Sequence, residues 1–275
     1  MKILLLLAVV LASNLLVPAA LAATPLQVTM LLEFSEKGAQ AYQLQKQQWD
    51  ILRSYAGEKL DVKYEHVSLQ RSLDLVQRDG YCSLNKRKTP QREQQLLFSR
   101  YPLNIGPPLK LIHLAAKPLP AEVDLLDWLV KSPRSKIGIA AGRSYGPVLD
   151  ALIAQQSTRF YQLAGEDAHT KLWLMLQKGR LDALIDYSVR SSLLAKQSDG
   201  IEATTIRGEP NFDLAYLVCH RSEHGQQLIN LFDQLLQQPA LQQQLLRNYQ
   251  QYFSPKEWQQ VSDEILRLFQ TQSPH

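Results

Sequence analysis

The chain alternates between short apolar runs and stretches in which apolar residues recur at helical spacing. Residues 26–34 (LQVTMLLEF) are mostly apolar, which is typical of a buried β-strand. Residues 40–56 change to helical spacing, with Trp49 and Leu52 on one face, and Gly57 follows as a stop signal. The pattern therefore predicts a strand followed by a helix.

The same alternation continues along the chain. Further strands are predicted at residues 60–67, 81–84, 136–141, 181–186 and 213–218, and further helices at residues 69–76, 148–155, 170–178 and in the tail after residue 226. Strands that alternate with helices are typical of α/β proteins with parallel sheets. Residues 102–120 contain five of the 14 prolines, so a domain boundary or hinge is predicted there.

The first 22 residues have the features of a secretory signal peptide. Lys2 precedes an apolar run, and Ala20-Leu21-Ala22 supplies the small residues that signal peptidase accepts. An uncleaved membrane anchor is the alternative, because the apolar stretch approaches spanning length, but Pro18 and the Ala-x-Ala exit favour cleavage after Ala22. No cysteine stands at the cleavage point to accept a lipid, so we expect a soluble, non-lipidated protein outside the cytoplasm.

Composition and motifs exclude several classes of function. The 275 residues are 45% hydrophobic and 20% charged, which is a globular composition, and the formal net charge of +4 is too small to indicate a nucleic-acid partner. The sequence has no phosphate-binding glycine-rich loop and no Gly-x-Ser-x-Gly motif, so no cofactor and no nucleophilic enzyme is predicted. Cys219, His220 and His224 lie where a strand runs into a loop, which does not give tetrahedral geometry, so no metal site is predicted.

Three motifs stand in a characteristic order. They are a strand followed by Thr-Pro-x-Arg and Phe-Ser within residues 79–103, the turn Gly142-Arg143-Ser144, and residues 179–186 (GRLDALID). Together they resemble the bacterial extracellular solute-binding proteins of family 3, the amino-acid type, and in particular a poorly characterised branch of it. The resemblance implies a two-lobed α/β periplasmic binding protein of type II with a hinge, in which lobe 1 is residues 24–115 plus 208–275 and lobe 2 is residues 116–207.

The resemblance and the residue chemistry together predict a ligand cleft between the lobes. Thr89 caps a helix that begins at Pro90, and Arg92 offers a planar guanidinium suited to a carboxylate. Asp186, at the carboxyl end of a strand, is expected to accept from a ligand ammonium. An α-amino acid or a solute of that shape is therefore expected to bridge the lobes and to stabilise their closed arrangement.

The resemblance adds further candidates around this cleft. Gly142, Arg143 and Ser144 form the expected turn, and Phe34 falls where the family often places an aromatic residue against the ligand. Arg143 departs from the family's small residue, so it either obstructs the turn or contacts an anionic ligand. Structural roles are the alternatives for three of the candidates: a surface Arg92 paired with Glu93, a core Phe34, and an Asp186 that caps the next helix.

Cys82 and Cys219 are the two cysteines of the chain. An even count in an oxidising compartment favours a disulfide, and two buried thiols are the alternative. The resemblance adds that the chain returns to lobe 1 after lobe 2, which brings the strand that ends at Cys219 beside the strand that contains Cys82. A Cys82–Cys219 bridge is therefore predicted.

The predicted function is capture of an amino acid or a similar small polar solute in the periplasm, without chemical change, for an inner-membrane ABC transporter or a sensor. An enzyme on the same scaffold, of a dehydratase-like kind, is one alternative, with Glu33 and His169 as its candidate groups. An accessory module that binds a protein partner through the glutamine-rich tail is another. The basic run at residues 86–88 is expected to be a solvated loop or, at a cleft edge, to steer anionic solutes.

Overall fold

The computed structural model describes residues 24–33, 39–165, 167–187 and 200–270, with the backbone alone at residues 39–45 and 270. The predicted signal peptide and Phe34 lie outside these ranges. Within them, no helix combines the length and the apolar character that a membrane-spanning helix needs.

Strands and helices alternate through most of the described chain. The strands are β1 (Leu26–Leu32), β2 (Leu60–His66), β3 (Tyr81–Lys86), β4 (Leu96–Gly106), β5 (Leu109–Leu114), β6 (Glu122–Val123), β7 (Ile137–Ala140), β8 (Phe160–Leu163), β9 (Ala183–Tyr187), β10 (Ile201–Ile206) and β11 (Asp213–His220). The helices are α1 (Ala39–Ala56), α2 (Leu69–Leu75), α3 (Pro90–Gln95), α4 (Leu125–Lys131), α5 (Pro147–Gln155), α6 (Ala168–Gln177), α7 (Glu223–Leu236), α8 (Pro239–Gln250) and α9 (Pro255–Gln270).

Two mixed sheets divide the molecule into two lobes. The first lobe contains a five-stranded sheet in the order β2-β1-β3-β11-β4, and the second contains a six-stranded sheet in the order β6-β10-β5-β9-β7-β8. The sheets are not entirely parallel, because β11 runs antiparallel to β3 and β4, and β5 runs antiparallel to β9 and β10. The parallel strands β1, β2 and β3, and likewise β7 and β9, are those that the sequence pattern predicted as α/β units, whereas β8, which is parallel to β7, was not predicted.

The chain crosses between the two sheets twice. The first crossing is at residues 107–108, and the chain returns to the first sheet through residues 207–212. Because β5 pairs with strands of the second sheet, the first crossing lies earlier than the predicted boundary after residue 115. Pro107 and Pro108 form the first crossing. Most of the other residues in the proline-rich segment belong to β4 and β5. Pro102 fits within β4 because β4 is an edge strand and its register with β11 shifts beside Tyr216.

The core of the first lobe packs helices onto one face of its sheet. Trp49 and Leu52 of α1 are fully buried, and Trp49 makes an edge-on contact with Phe232 of α7 at a ring-centroid distance of 6.0 Å. In α7 the buried residues recur at helical spacing, as the sequence predicted for this tail. The glutamines therefore lie beside a genuine apolar stripe.

The predicted disulfide is confirmed. Cys82 in β3 and Cys219 in β11 are register partners across the sheet, their sulfur atoms are bonded, and both residues are fully buried. The bridge joins β3, which precedes the second lobe in the sequence, to β11, which follows it. It also occupies the Cys219 sulfur, which is therefore not a thiolate available to a metal ion.

Candidate functional site

The candidate residues converge where the two lobes meet. Glu33 follows β1, Lys86 ends β3, Gly142 follows β7 and Asp186 lies near the end of β9. These are the carboxyl ends of parallel strands, which is where open α/β sheets bind ligands. The predicted set is thus brought to one interlobe face, apart from Phe34, which lies outside the described residues.

Arg92 reaches across this face from the first lobe. Its Nη1 donates to the carbonyl oxygen of Arg87 at 3.1 Å, and its Nη2 donates to the carbonyl oxygen of Gly142, in the second lobe, at 3.1 Å. Burial lowers the pKa of Arg92, and the nearby Glu33 carboxylate opposes that effect. Among the described residues no carboxylate lies within ion-pair distance of its guanidinium, so the alternative role of Arg92, a surface pair with Glu93, is not observed.

Gly142 brings the second lobe into close contact with α2 of the first. Its φ of +79° is one that side-chain-bearing residues rarely adopt. A Cβ atom at this position would lie 2.9 Å from Oε1 and 3.2 Å from Cα of Gln70. Glycine is therefore required here both by the turn and by the approach of the two lobes.

A buried cluster of polar residues lies on the first-lobe side. The Glu33 side chain is fully buried, and its Oε1 accepts hydrogen bonds from Ser72 Oγ at 2.7 Å, from Ser83 Oγ at 2.8 Å and from Lys86 Nζ. Burial lowers the pKa of Lys86, although the ion pair with Glu33 opposes this shift. Within the described part of the chain, Glu33 Oε2 has no hydrogen-bond partner.

A second buried cluster lies on the other side of the cleft. Arg143 Nη1 donates to Asp186 Oδ1 at 3.2 Å, and Arg143 Nη2 lies 3.3 Å from His169 Nε2. Because arginine can only donate, His169 Nε2 is the acceptor, and its Nδ1 lies 3.5 Å from Asp186 Oδ2. Burial works against the charged form of Arg143, but Tyr187, Tyr145 and Asp186 outweigh it and raise the pKa of Arg143. Asp186 therefore already has a cationic partner from its own lobe.

Thr89 and Ser144 act on the local backbone. Thr89 Oγ1 caps α3 by accepting from the Arg92 backbone N–H at 3.2 Å, with Pro90 at the first helical position, as predicted. Ser144 Oγ donates to Asp150 Oδ2 at 2.6 Å. Asp150 also accepts from the Tyr145 backbone N–H, so it fixes the turn that carries Arg143.

The basic run differs from the expected solvated loop at Lys86 and Arg87, whereas Lys88 is exposed. Lys86 is buried against Glu33, and Arg87 Nε lies 2.6 Å from Asp213 Oδ1. Lys88 Nζ lies 4.1 Å from the centroid of the Tyr216 ring, within the range of a cation–π contact. The three charged side chains are consecutive in the sequence, but each contacts a different partner that the fold brings close.

A small cavity remains between the lobes. It has a volume of about 10 Å³, which is the space of roughly one water molecule. Its lining includes Glu33 and Gln70 from the first lobe and Ala140, Ala141 and His169 from the second. The lobes are thus closed on one another at this point, and the cavity has no room for a solute larger than one water molecule.

Sequence reasoning named Glu33 as a candidate of the enzyme alternative and did not connect it with Lys86. The available signal is that Glu33 directly follows the mostly apolar strand β1, a position at which a buried acidic residue needs a partner or a ligand.

Comparisons with known proteins agree with the two-lobed architecture. No protein-family model matches the sequence, and no curated protein is detectably similar to it. Among solved structures, an ancestral arginine-binding protein bound to arginine superposes with a TM-score of 0.63 at 13% identity, covering 84% of this chain and 100% of that one. A putative L-cystine ABC transporter protein from Listeria monocytogenes gives a TM-score of 0.62 at 16% identity, covering 85% of this chain and 97% of that one.

A third solved structure has the same architecture. The BvgS VFT2 domain of Bordetella pertussis superposes with a TM-score of 0.57 at 15% identity, covering 84% of this chain and 94% of that domain. At these identities the similarity establishes the fold, which is the two-lobed α/β fold of the amino-acid-type substrate-binding proteins. The fold predicted from the three motifs is therefore confirmed.

Proposed function

We propose that this chain is a periplasmic solute-binding protein that captures a small carboxylate-bearing solute, an amino acid or one of similar shape, between its lobes without changing it chemically. After export and removal of residues 1–22, the protein presents the solute to an inner-membrane ABC transporter or to a sensor. The structural neighbours that bind amino acids support the kind of ligand.

Arg92 is the observation that carries the proposal. A guanidinium that is half-buried at an interlobe face and bonded to two carbonyl oxygens retains its positive charge without a carboxylate partner among the described residues. Charge-assisted hydrogen bonds from arginine to a carboxylate are stronger than those to neutral carbonyls. A ligand carboxylate is therefore the group that best completes this site.

Opening of the lobes admits the ligand. The Arg92 contact with Gly142 and the close approach of Gln70 to Gly142 both belong to the closed arrangement. Their separation exposes the Arg92 guanidinium, and closure over a bound solute then adds second-lobe contacts that stabilise the closed state.

A thermal-shift screen of the purified protein against amino acids and small carboxylates tests the proposal. We expect at least one of them to raise the melting temperature and to be recovered intact by mass spectrometry. Absence of any response to the whole set would overturn the proposal.

An enzyme on the same scaffold is the second candidate function. Glu33 and His169 come from different lobes and line the same cavity, which is the arrangement that an acid–base pair requires. Conversion of a stabilising compound during the same screen, absent in the H169A variant, would favour this candidate.

A further inference from the structure

Glu33 lines the interlobe cavity, and its Oε2 is a buried oxygen without a donor among the described residues. The side chain is fully buried, and Oε2 makes no hydrogen bond to any residue that the structure describes. A buried acceptor that lacks a donor is destabilising, and such groups are normally satisfied by solvent or by a ligand. Because Glu33 lines the cavity, the missing donor is expected to arrive from that side.

The other oxygen of Glu33 is saturated. Ser72, Ser83 and Lys86 all donate to Oε1, and Lys86 Nζ also donates to Ser72 Oγ at 2.6 Å. These donors fix the orientation of the carboxylate and leave Oε2 as its available acceptor. The Lys86 ammonium is thus engaged by Oε1 and Ser72 Oγ and makes no hydrogen bond to Oε2.

Asp186, in contrast to Glu33, has a partner at each of its two carboxylate oxygens. Its Oδ1 accepts from Arg143 Nη1 and from the Tyr187 backbone N–H at 2.9 Å, and its Oδ2 faces His169. A ligand ammonium at Asp186 must displace a buried guanidinium of the same lobe. The removal of one partner from a buried ion pair is costly, because it leaves the other charge uncompensated.

We propose that Glu33, rather than Asp186, accepts the hydrogen bond from the donor group that the ligand carries beside its carboxylate. The inference rests on the proposed function, since Arg92 binds the carboxylate. It assigns both polar ends of the ligand to the first lobe and gives Arg143 the role of holding Asp186. The ligand is then a carboxylate with an ammonium or a hydroxyl group on the adjacent carbon.

Matched ligand sets test this assignment in the wild-type protein. Each set contains an L-amino acid, its hydroxy acid and the bare acid, for example L-alanine, L-lactate and propanoate, or L-glutamate, 2-hydroxyglutarate and glutarate. Calorimetric titration of the set that responds best in the thermal screen measures the preference. We expect the donor-bearing member to bind roughly 10- to 100-fold more tightly than the bare acid. The amino acid and the hydroxy acid distinguish an ammonium from a hydroxyl donor.

The E33Q variant provides the decisive comparison. The donors at Oε1 hold the amide oxygen there, so the amide nitrogen replaces Oε2 and presents donors to the cavity. We expect the preference for the donor-bearing ligand to be lost or reversed in E33Q. The matched control D186N is expected to keep the preference, whatever its effect on absolute affinity.

The outcomes distinguish failure of the Glu33 assignment from failure of the proposed function. If the wild-type protein binds a set without preference, or if E33Q keeps the preference, the assignment to Glu33 is overturned and the proposed function stands; loss of the preference in D186N instead would place the ligand donor at Asp186. If no set binds the wild-type protein, the proposed function falls and this inference falls with it. If E33Q does not fold, as judged by circular dichroism, the E33Q/K86M variant removes the unpaired buried lysine and the same loss of preference is expected.

Discussion

Tyr187 in β9 donates a hydrogen bond from its hydroxyl group to Asp213 Oδ2 in β11, and so links the second lobe to the first. Burial and the Asp213 carboxylate raise the pKa of Tyr187, so the hydroxyl group keeps its proton near neutral pH. Asp213 also pairs with Arg87 of its own lobe. One carboxylate is thus shared between a first-lobe cation and a second-lobe donor, which ties the lobes in the closed arrangement.

The Y187F substitution is expected to shift the ligand-free protein towards an open form. It removes a hydrogen bond to a charged acceptor, a contribution of about 1.5–3 kcal/mol, from the closed form. Small-angle X-ray scattering should then give a larger radius of gyration than that of the wild-type protein. The Y145F variant is the control, because the Tyr145 hydroxyl group accepts from the Ala140 N–H within the second lobe. An equal expansion in both variants would contradict a closing role for Tyr187.

Substitution of Arg92 is expected to weaken binding in a graded way. R92A removes the guanidinium and should lower affinity for the best ligand of the screen about 10- to 100-fold. R92K keeps the charge but loses the planar fork, so an intermediate affinity is expected. Calorimetric titration measures both variants, with R207A as the control, because Arg207 forms an exposed pair with Glu122 away from the cleft. Unchanged affinity in R92A would remove Arg92 from the site.

Removal of the disulfide is expected to destabilise the fold without altering ligand affinity. The bridge closes a sequence separation of 137 residues, for which the loss of chain entropy in the unfolded state is about 4–5 kcal/mol. Urea unfolding of the C82A/C219A variant should show a decrease in the free energy of unfolding of about 2–5 kcal/mol. A reducing agent should destabilise the wild-type protein but not this variant. Two free thiols in the mass spectrum of the non-reduced protein would contradict the bridge.

Buried tyrosines are expected to make stability fall at alkaline pH. Burial raises the pKa values of Tyr249 and Tyr252 above that of an exposed tyrosine. The folded protein therefore keeps protons that the unfolded chain releases, so their contribution is complete below about pH 10 and is lost as the pH rises above it. Y249F and Y252F should each flatten this decline in urea unfolding measured as a function of pH.

The two tyrosines differ at neutral pH, which provides an internal comparison. The Tyr249 hydroxyl group donates to the Leu103 carbonyl oxygen at 2.9 Å, whereas the Tyr252 hydroxyl group has no partner among the described residues. At pH 7, Y249F is expected to cost about 1 kcal/mol of unfolding free energy, and Y252F is expected to cost nothing. Equal losses in the two variants would contradict this difference.

Elements with a strong periodic pattern could be predicted from the sequence. The helix predicted at residues 40–56 is observed at Ala39–Ala56, and the strand predicted at residues 60–67 is observed at Leu60–His66. The eleven-residue strand β4 was not predicted, because prolines 102, 107 and 108 indicated a boundary. An edge position and an irregular register, which make Pro102 acceptable, are properties of the assembled sheet rather than of the local sequence.

In the candidate site, too, local features could be predicted from the sequence and long-range contacts could not. The Thr89 cap depends on residues one turn apart, and it could be predicted. The Arg143–Asp186 and Glu33–Lys86 pairs join residues 43 and 53 positions apart, so they depend on the folded topology. A single sequence shows which charges exist, but it does not show which of them neutralise one another.

The position of β11 between β3 and β4 has a consequence for how the chain reaches its native state. The first-lobe sheet lacks an interior strand until residue 220 is available, by which time the entire second lobe has been synthesised. During synthesis from the amino terminus, the second lobe can therefore fold before the first-lobe sheet is complete. Such an order delays formation of the Cys82–Cys219 bridge until β11 is inserted between β3 and β4.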